Sequence, residues 1–301
     1  MIFRLLSFSL LASILPFLAP TANADSVPLG TSAAFAVLAG SAVTNTGSSV
    51  IITGDLGVSP GTAVSGFPPG IVTAPGTIHN SDAVALQAQA DLTTAYNALA
   101  RESVTKALTG TDLGGLTLTP GVYFFATSAQ LTGTLTLDAQ GKPNASWVFQ
   151  IGSTLTTASN SVVSIINPGA NDSLFWQVGS SATLGTTTDF EGNIVALTSI
   201  TMNTGATDDC GRVLARNGAV TLDDNTISIG CGDLLGEGSS GGLSGVSSTS
   251  GGTGGTGGTG GTGGTGGGGG TSVPEPATFA LLLAGLLPLG VLTLRKLQVN
   301  C

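Results

Sequence analysis

The sequence is poor in charge, in aromatic residues and in the residue types that most often carry catalysis. Charged residues make up 8% of its 301 residues, and it has one histidine, three cysteines, two tryptophans and two tyrosines. The stretch 25–272 carries 16 acidic and 5 basic residues, a formal charge of −11. Nucleic acid is therefore not an expected partner, because phosphate binding requires a basic surface.

No residue cluster has the pattern of a catalytic, cofactor or phosphate site. His79 has no evident Ser or Cys partner, so we expect a structural role. Two acidic pairs, 208–209 and 223–224, fall on neighbouring turns of an approximate sequence repeat. A glycosidase or a calcium site would require carboxylates that lie close together in this way. Acids in polar corners are usually solvated turn residues. The glycine-rich runs lack the Lys-Ser/Thr of a phosphate loop. We predict no enzyme activity, cofactor or metal site.

Small residues dominate instead, and both ends of the chain indicate export. Residues 1–24 read as a secretory signal, with Arg4 before the apolar run Leu5–Leu18 and the cleavage pattern Ala22-Asn23-Ala24. A short membrane anchor is the alternative for this segment. Export permits disulfide bonds.

The other end combines a tether with a sorting signal. Residues 236–272 are nearly all Gly, Ser and Thr, which predicts a flexible linker. The motif Val273-Pro274-Glu275-Pro276 follows, and then the uncharged segment 277–294 and the pair Arg295-Lys296. Eighteen residues of helix span ~27 Å, enough to cross a membrane, and the basic pair keeps the end cytoplasmic.

Residues 273–301 together resemble the PEP-CTERM sorting signal of Gram-negative bacteria. The resemblance implies passage through the inner membrane, processing by an exosortase-type protease and a final place at the cell surface or outside the cell. Such proteins usually accompany exopolysaccharide, which is therefore a second candidate partner.

The chain between these ends repeats with a period near twenty. Short β-branched runs are divided by Gly and Asn, which predicts a mainly β solenoid whose turns stack to bury their apolar sides. An antiparallel sandwich is the alternative, although it does not require similarity between columns. The two predicted inward columns are Val148, Phe175, Ile194 and Val213, and Leu155, Leu184, Met202 and Leu222.

The columns also place two of the three cysteines together. Cys210 lies eight positions after Met202, and Cys231 lies nine after Leu222. Both fall at nearly the same corner of adjacent turns, within the ~4.4–6.8 Å between Cα atoms that a disulfide needs. We predict a Cys210–Cys231 disulfide, with two unpaired thiols as the alternative.

One segment has helical rather than β periodicity. Between Ser81 and Arg101 the apolar residues recur every three or four positions, which predicts an amphipathic helix over 81–101. Ser81 is the expected N-cap, and Asp82 and Arg101 suit the two ends of the helix dipole. We expect the helix to cover apolar surface on one flank of the solenoid.

These features resemble the ice-binding-protein-like (DUF3494) family of secreted proteins. The resemblance runs from Leu29 to about Ile229, within a predicted domain of 25–235. It implies a discontinuous right-handed β-helix with a long helix beside it, and binding of ice crystals by one flat face. The stretches that carry it are 29–31, 35–40, 52–61, 83–90, 118–123, 150–153 and 177–180.

The family's Thr-(Ala/Gly)-x-(Thr/Asn) pattern occurs at 157–160 and 204–207, and the turn between them offers 186–189. Threonine suits an ice face because its β-branch fixes χ1, its hydroxyl anchors a water and its methyl orders neighbouring water. Asp189 departs from the pattern. The ice-binding residues implied are Thr157, Asn160, Thr186, Thr188, Thr204 and Thr207.

The sequence therefore predicts an exported ice-binding protein that inhibits ice growth or recrystallisation by adsorption. A matrix or cell-surface adhesion module that binds polysaccharide through the same fold is the alternative. Exposed aromatic rings would favour sugar, but Trp147 and Trp176 fall within inward-facing apolar runs.

Overall fold

The computed structural model describes residues 27–230, which form a parallel β-solenoid with one α-helix against its flank. The predicted mainly β solenoid and the single long helix are confirmed. The signal 1–24, the linker 236–272 and the sorting signal 273–301 with its span 277–294 lie outside these residues. Within the described part of the chain, no helix has the length and apolarity needed to cross a membrane.

Short strands make up most of the described chain. Besides the helix Ala83–Leu99 (α1), there is a 3-10 helix at Gly30–Ala34. The strands are Phe35–Ala39 (β1), Ala42–Thr46 (β2), Val50–Thr53 (β3), Asp55–Val58 (β4), Ala63–Ser65 (β5), Ile71–Val72 (β6), Ile78–Asn80 (β7), Lys106–Ala107 (β8), Thr117–Leu118 (β9), Gly121–Phe125 (β10), Ala129–Leu131 (β11), Thr134–Asp138 (β12), Ser146–Ile151 (β13), Leu155–Thr157 (β14), Val162–Ile166 (β15), Ser173–Val178 (β16), Ala182–Leu184 (β17), Asp189–Ala196 (β18), Ile200–Met202 (β19), Thr207–Ala215 (β20), Val220–Asp223 (β21) and Thr226–Ser228 (β22).

The strands stack into three faces. The helix face comprises β7, β4, β1, β16, β13, β10, β8 and the second halves of β18 and β20. The seven-stranded sheet β11-β14-β17-β19-β21-β2-β5 forms a second face, called here the threonine face. The third, called the acidic face, contains β9, β12, β15, β22, β3, β6 and the first halves of β18 and β20.

The stacking order does not follow the chain order. The first coil, β1 to β3, pairs with the last one, through β20, β21 and β22. We call this junction between the first and last coils the seam. Helix α1 follows β7 at one end of the stack and precedes β8 at the other. The solenoid is therefore discontinuous, as the family resemblance implied.

The first predicted inward column is out of register by one residue between β16 and β18. Val148 pairs with Phe175 and Ile194 with Val213, but Phe175 pairs with Asn193, and Trp176 with Ile194. A shift of one residue moves a side chain to the other side of a sheet. Apolar residues fill both sides here because the helix covers the outside, so sequence polarity does not reveal the register. The interior column is Phe149, Trp176, Ile194 and Val213, whereas Val148, Phe175, Val195 and Leu214 face the helix.

The second predicted column is wrong by two residues at its first step. Leu184 pairs with Met202 as predicted, but Leu155 pairs with Ala182 rather than with Leu184. A shift of two keeps side chains on the same side, so either register buries apolar residues. The position opposite Leu184 is taken by Thr157, the C-terminal residue of β14, whose side chain is buried.

Helix α1 is shorter than predicted, and a different residue caps it. It begins at Ala83, and the Asp82 carboxylate accepts a 2.9 Å hydrogen bond from the Ala85 amide. Ser81, the predicted cap, has a φ of 54° and precedes the cap. Arg101 lies beyond the helix end at Leu99. The buried helix side packs as predicted on the helix face, through Ala88, Leu92, Ala95, Tyr96 and Leu99.

Candidate functional site

The threonine face carries an unbroken column of hydroxyl side chains. In every strand of this face except β5, an outward residue lies between two inward ones, as with Thr201 between Ile200 and Met202. These outward residues are paired strand to strand. The column runs from Gln130 at one end through Thr156, Thr183, Thr201, Thr221, Thr44 and Ser65.

Packing beneath the column makes this face stiff. Ile200, Met202, Val220 and Leu222 are fully buried, so the backbone around the central threonines cannot tilt without disturbing the core. Each β-branched side chain has a restricted χ1. Hydroxyls therefore recur every ~4.7–4.9 Å across the strands. At the seam the Thr44 hydroxyl donates to the Thr221 hydroxyl over 3.3 Å, so the column crosses the chain discontinuity.

Small side chains flank the column, and the face is nearly neutral. Asp223 is the one charged residue in the seven strands of this sheet. On the side where the strands begin, the residues Ser128, Thr154, Ser181 and Ser199 precede β11, β14, β17 and β19. The Thr154 hydroxyl donates to Ser128 Oγ at 2.8 Å. These short side chains keep the surface flat.

A second set of hydroxyls forms the rim of the face, on the side where the strands end. The main-chain bond from Thr187 to the Thr204 carbonyl, at 3.0 Å, stacks Thr186 beside Thr204. Thr204 lies beside Asp223, which pairs with Thr46 across the seam. The exposed side chains of Thr186, Thr204 and Thr46 thus continue the polar grid by one further row.

Two of the predicted ice-binding residues are buried and cannot reach ice. Thr157 is 3% exposed and Thr188 is fully buried. Their hydroxyls lie 2.7 Å apart in a hydrogen bond inside the corner of the coil. The Thr157 oxygen also accepts the Gly185 amide at 2.8 Å. Their assignment to the ice face is therefore wrong, and both serve the corner itself.

The other four predicted residues lie at the surface but do not form one site. Thr186 and Thr204 belong to the rim. Asn160 occupies the next corner position with a φ of 59°, and its side-chain oxygen accepts from Thr187 at 2.6 Å. Thr207 lies on the acidic face, paired with Asp189. The pairing of positions 189 and 207 was predicted, but Asn160 does not belong to their row, which Val162 continues.

The central column was missed because the candidate residues were taken from the Thr-(Ala/Gly)-x-(Thr/Asn) pattern, which falls at the corners where the strands end. A sequence signal for it exists in a recurring apolar-Thr-apolar triplet. Such triplets stand at 182–184, 200–202 and 220–222, and related ones stand at 155–157 and 43–45, where Thr157 and Asn45 take the second inward position.

The other two faces are less suited to a flat lattice. Helix α1 covers the helix face. On the acidic face, the β18/β20 and β22/β3 pairings each contain a register shift. Bulges of this kind bend and twist a strand. Exposed apolar chains such as Ile52 and Ile166 also lie among its carboxylates.

Known proteins share this architecture and much of this sequence. The ice-binding-like family model matches residues 37–228. The chain belongs to the ice-binding-like family. An ice-binding protein of Nostoc sp. (strain HG1) is 64% identical over 203 residues, which cover 67% of this chain and 74% of the relative.

Solved structures of ice-binding proteins share the fold. One from an Antarctic biological consortium superposes with a TM-score of 0.65 at 47% identity, covering 72% of this chain and 96% of that one. Another, from the Antarctic ascomycete Antarctomyces psychrotrophicus, gives 0.63 at 40% identity, with coverages of 68% and 98%.

The acidic pairs of this ice-binding-like chain do not form the carboxylate cluster considered from the sequence. Asp208 is fully buried beneath the acidic face, paired with Phe190 and Ile227, whereas Asp223 lies on the threonine face. Across residues 27–230, no group of three or more His, Cys, Asp or Glu side chains is placed to hold a metal ion. His79 has a structural setting, with Nδ1 2.7 Å from the Asp82 capping carboxylate and Nε2 2.9 Å from the Thr77 hydroxyl.

Burial perturbs two acids beneath the acidic face. It raises the pKa of Asp208 well above its usual range, and the carboxyl of Glu191 adds to the effect. Burial, helped by the negative charges of Asp189 and Asp209, also raises the pKa of Glu191 to about 7. Neither oxygen of Asp208 has a hydrogen-bond partner. Both acids therefore keep their protons to a higher pH than an exposed carboxyl group does.

We expect the domain to lose stability as the pH rises from 5 to 8. Glu191 binds its proton more tightly in the folded state, with a pKa of about 7 against 4.5 when unperturbed. The protonated Glu191 carboxyl stabilises the folded state fully below about pH 4.5, and this stabilisation is lost as the pH rises past 7. The free energy of unfolding should fall by about 2–3 kcal/mol between pH 5 and 8. Urea unfolding at pH 5, 6, 7 and 8 measures the slope. The Glu191→Gln variant should flatten it, and an equal slope in both proteins would show that another group titrates.

Cys210 of this ice-binding-like chain is disulfide-bonded, on the acidic face in β20. Its predicted partner, Cys231, lies outside the described residues. Asp208 pairs with Ile227, which sets Cys210 beside Ile229, two residues before Cys231. The Cys210–Cys231 pairing stays a prediction, which mass spectrometry of unreduced peptides tests directly.

Proposed function

We propose that this protein adsorbs to ice through the threonine face and thereby inhibits ice growth and recrystallisation. The observation that carries the proposal is the column of five threonines and one serine across six paired strands. Ice is a neutral, regular array of water molecules, so a surface that holds it must present water-ordering groups at regular intervals and stay rigid. The action is adsorption, without chemical turnover.

The side-chain chemistry and the spacing of this face suit the regularly arranged water molecules of ice. Each threonine hydroxyl donates and accepts a hydrogen bond, while its methyl orders neighbouring water. Strand pairing supplies one repeat of ~4.7–4.9 Å, and alternate residues along a strand supply another of ~6.6–6.8 Å. The Ser128-to-Ser199 row, the central column and the rim give three parallel rows of small polar chains.

The aromatic side chains do not favour the polysaccharide-binding alternative. Sugar-binding surfaces commonly stack rings on exposed aromatic side chains. Both tryptophans, Trp147 and Trp176, are fully buried, and Tyr96 and Tyr123 are at most 8% exposed. Relatives of the same family are ice-binding proteins. Ice is therefore the ligand that the chemistry of the face favours.

We extend the proposal to the course of the chain and to its cellular location. Right-handed winding is proposed because crossover connections between parallel strands are almost always right-handed. Export is proposed from the signal 1–24, with exosortase-type processing at 273–276 and release from a Gram-negative inner membrane. Exopolysaccharide remains a candidate neighbour of the processed protein at the cell surface. N-terminal sequencing and intact mass of the secreted protein test both cleavages.

The direct test is an ice assay on the purified protein. We expect it to inhibit recrystallisation and to label single ice crystals when it carries a fluorophore on the acidic face. A protein that neither slows recrystallisation nor binds ice would refute the proposal. Binding to polysaccharide without binding to ice would instead support the adhesion alternative.

A rim variant distinguishes the sequence-based site from the structural one. We expect Thr186→Tyr/Thr204→Tyr to weaken recrystallisation inhibition only partly, by about three- to tenfold in the concentration required. The rim contributes one of three rows, whereas the central column remains intact. Complete loss of activity in this double variant would move the centre of the site to the rim.

A further inference from the structure

Asp223 makes contacts that set it apart from the other acids of the surface. It is the charged residue of the threonine face, it is half-buried, and it lies at the seam. Its Oδ2 accepts a hydrogen bond from the Thr204 hydroxyl of the preceding coil. Its Oδ1 accepts one from the Thr46 hydroxyl of the first coil, at 3.1 Å.

Asp223 is itself held from the other side. Its amide donates to Asn225 Oδ1 at 2.7 Å, and the buried Asn225 side chain donates in turn to the carbonyls of Asn203 and Ala206, at 3.0 and 2.9 Å. This network ties residue 223 to the coil that contains Thr204. The carboxylate position is therefore determined by packed groups rather than by solvent.

We propose that Asp223 is a positioning residue for ice adsorption, which orients the hydroxyls of Thr204 and Thr46 so that the rim presents a fixed pattern to water. The inference rests on the proposed function of the threonine face. A lone threonine hydroxyl on a surface rotates about its C–O bond. A carboxylate acceptor fixes the proton of each hydroxyl toward itself, and the remaining lone pairs then point in set directions to accept from ice water.

An unpaired carboxylate would disturb the water above a neutral face, but the contacts of Asp223 reduce this effect. Both of its oxygens accept from threonines, so less of its charge is available to organise mobile water. The Thr46 hydroxyl has a second acceptor, the Leu222 carbonyl at 3.3 Å, whereas no other acceptor is recorded for the Thr204 hydroxyl. We therefore expect Thr204 to depend more strongly on Asp223 than Thr46 does.

The neighbouring Asp224 provides a matched control. It lies at the same seam and accepts the Ser48 amide at 2.6 Å, but its recorded hydrogen bond reaches no threonine hydroxyl. Its φ of 52° is one that glycine adopts without strain. Asp224→Gly thus loosens the seam without touching the rim hydroxyls, while Asp223→Ala removes both rim acceptors.

The experiment compares the full protein with Asp223→Ala, Asp223→Asn and Asp224→Gly. Recrystallisation inhibition, Tm and the solvent exchange of the Thr204 and Thr46 hydroxyl protons by NMR are measured. We expect Asp223→Ala to raise the required concentration about three- to tenfold, the factor for one ordered hydrogen bond. The Thr204 hydroxyl proton should exchange faster with solvent in Asp223→Ala, and Asp223→Asn, which keeps one acceptor oxygen, should recover part of the activity. Asp224→Gly should retain activity even where its Tm falls as far.

Three outcomes would overturn the assignment. Full activity in Asp223→Ala is one, and an equal loss in Asp224→Gly is another, since it would reduce the role to holding the seam. An inactive wild-type protein would remove the proposed function and this inference together. Activity in the wild type that is lost in a variant at the centre of the face, with Asp223→Ala unaffected, would leave the function standing and reject only the role of Asp223.

Discussion

A Thr201→Tyr variant is expected to lose most ice activity while it keeps the fold. Thr201 occupies the middle of the hydroxyl column, between Thr183 and Thr221 on the adjoining strands. A tyrosine ring there would stand above the plane and hold ice away from both neighbours, so the loss exceeds that of a single contact. We expect the concentration for recrystallisation inhibition to rise at least about tenfold, equivalent to ~1.4 kcal/mol or more.

The matched control is Thr134→Tyr, which adds the same ring at an exposed position in β12 on the acidic face. It should leave ice activity unchanged. Thermal unfolding of both variants should follow the wild type within a few degrees, because surface substitutions usually change stability by less than ~0.5 kcal/mol. If Thr134→Tyr abolished activity and Thr201→Tyr did not, the ice face would have to be moved to the acidic face.

Trp176→Ala is expected to give the largest loss of stability. The Trp176 ring is fully buried and stacks on Phe149 with centroids 4.1 Å apart and planes 9° apart. Phe190 lies on its other side at 5.0 Å, and its indole Nε1 donates to the Glu191 carbonyl at 3.0 Å. Removing the ring leaves a cavity across three coils. We expect a loss of about 3–5 kcal/mol, with a fall in Tm of roughly 10 °C or more.

Chemical denaturation measures this loss, and Trp176→Phe is the control. Phenylalanine keeps an aromatic ring between Phe149 and Phe190 but gives up the indole hydrogen bond, so about half of the stability should return. Ice activity at temperatures where the variants remain folded should be close to that of the wild type. A fall in Tm of only one or two degrees for Trp176→Ala would contradict the packing described for the interior column.

The fold was predictable from the sequence to the level of coils, but the register was not. Repeated short strands indicated a solenoid, and the helical spacing of apolar residues indicated α1 to within two residues at each end. The step from Phe175 to Asn193 was misplaced because β16 and β18 are buried on both sides, and alternating polarity is the signal that defines a register.

The site was predicted less well, because its candidates were threonines at the corners rather than in the middle of the strands. The Thr157 and Thr188 side chains face each other inside a corner, and nothing in a threonine's local sequence distinguishes this position from an exposed one. Thr201 and Thr221, by contrast, are flanked by inward apolar residues, and the triplet alone would have identified them. Capping by Asp82 rather than Ser81 was decided by backbone conformation, since Ser81 has a positive φ.

The place of β2 beside β21 has a consequence for biogenesis. Residues 44 and 221 are neighbours in space although 177 positions separate them. On a ribosome, the coil that is synthesised first must wait, with one edge uncovered, until the coil that is synthesised last has emerged. Contacts this distant in sequence slow folding, and unpaired edges in the interval invite aggregation. Nascent chains arrested before residue 220 should therefore remain protease-sensitive within residues 27–60, which become resistant when synthesis passes the final coil.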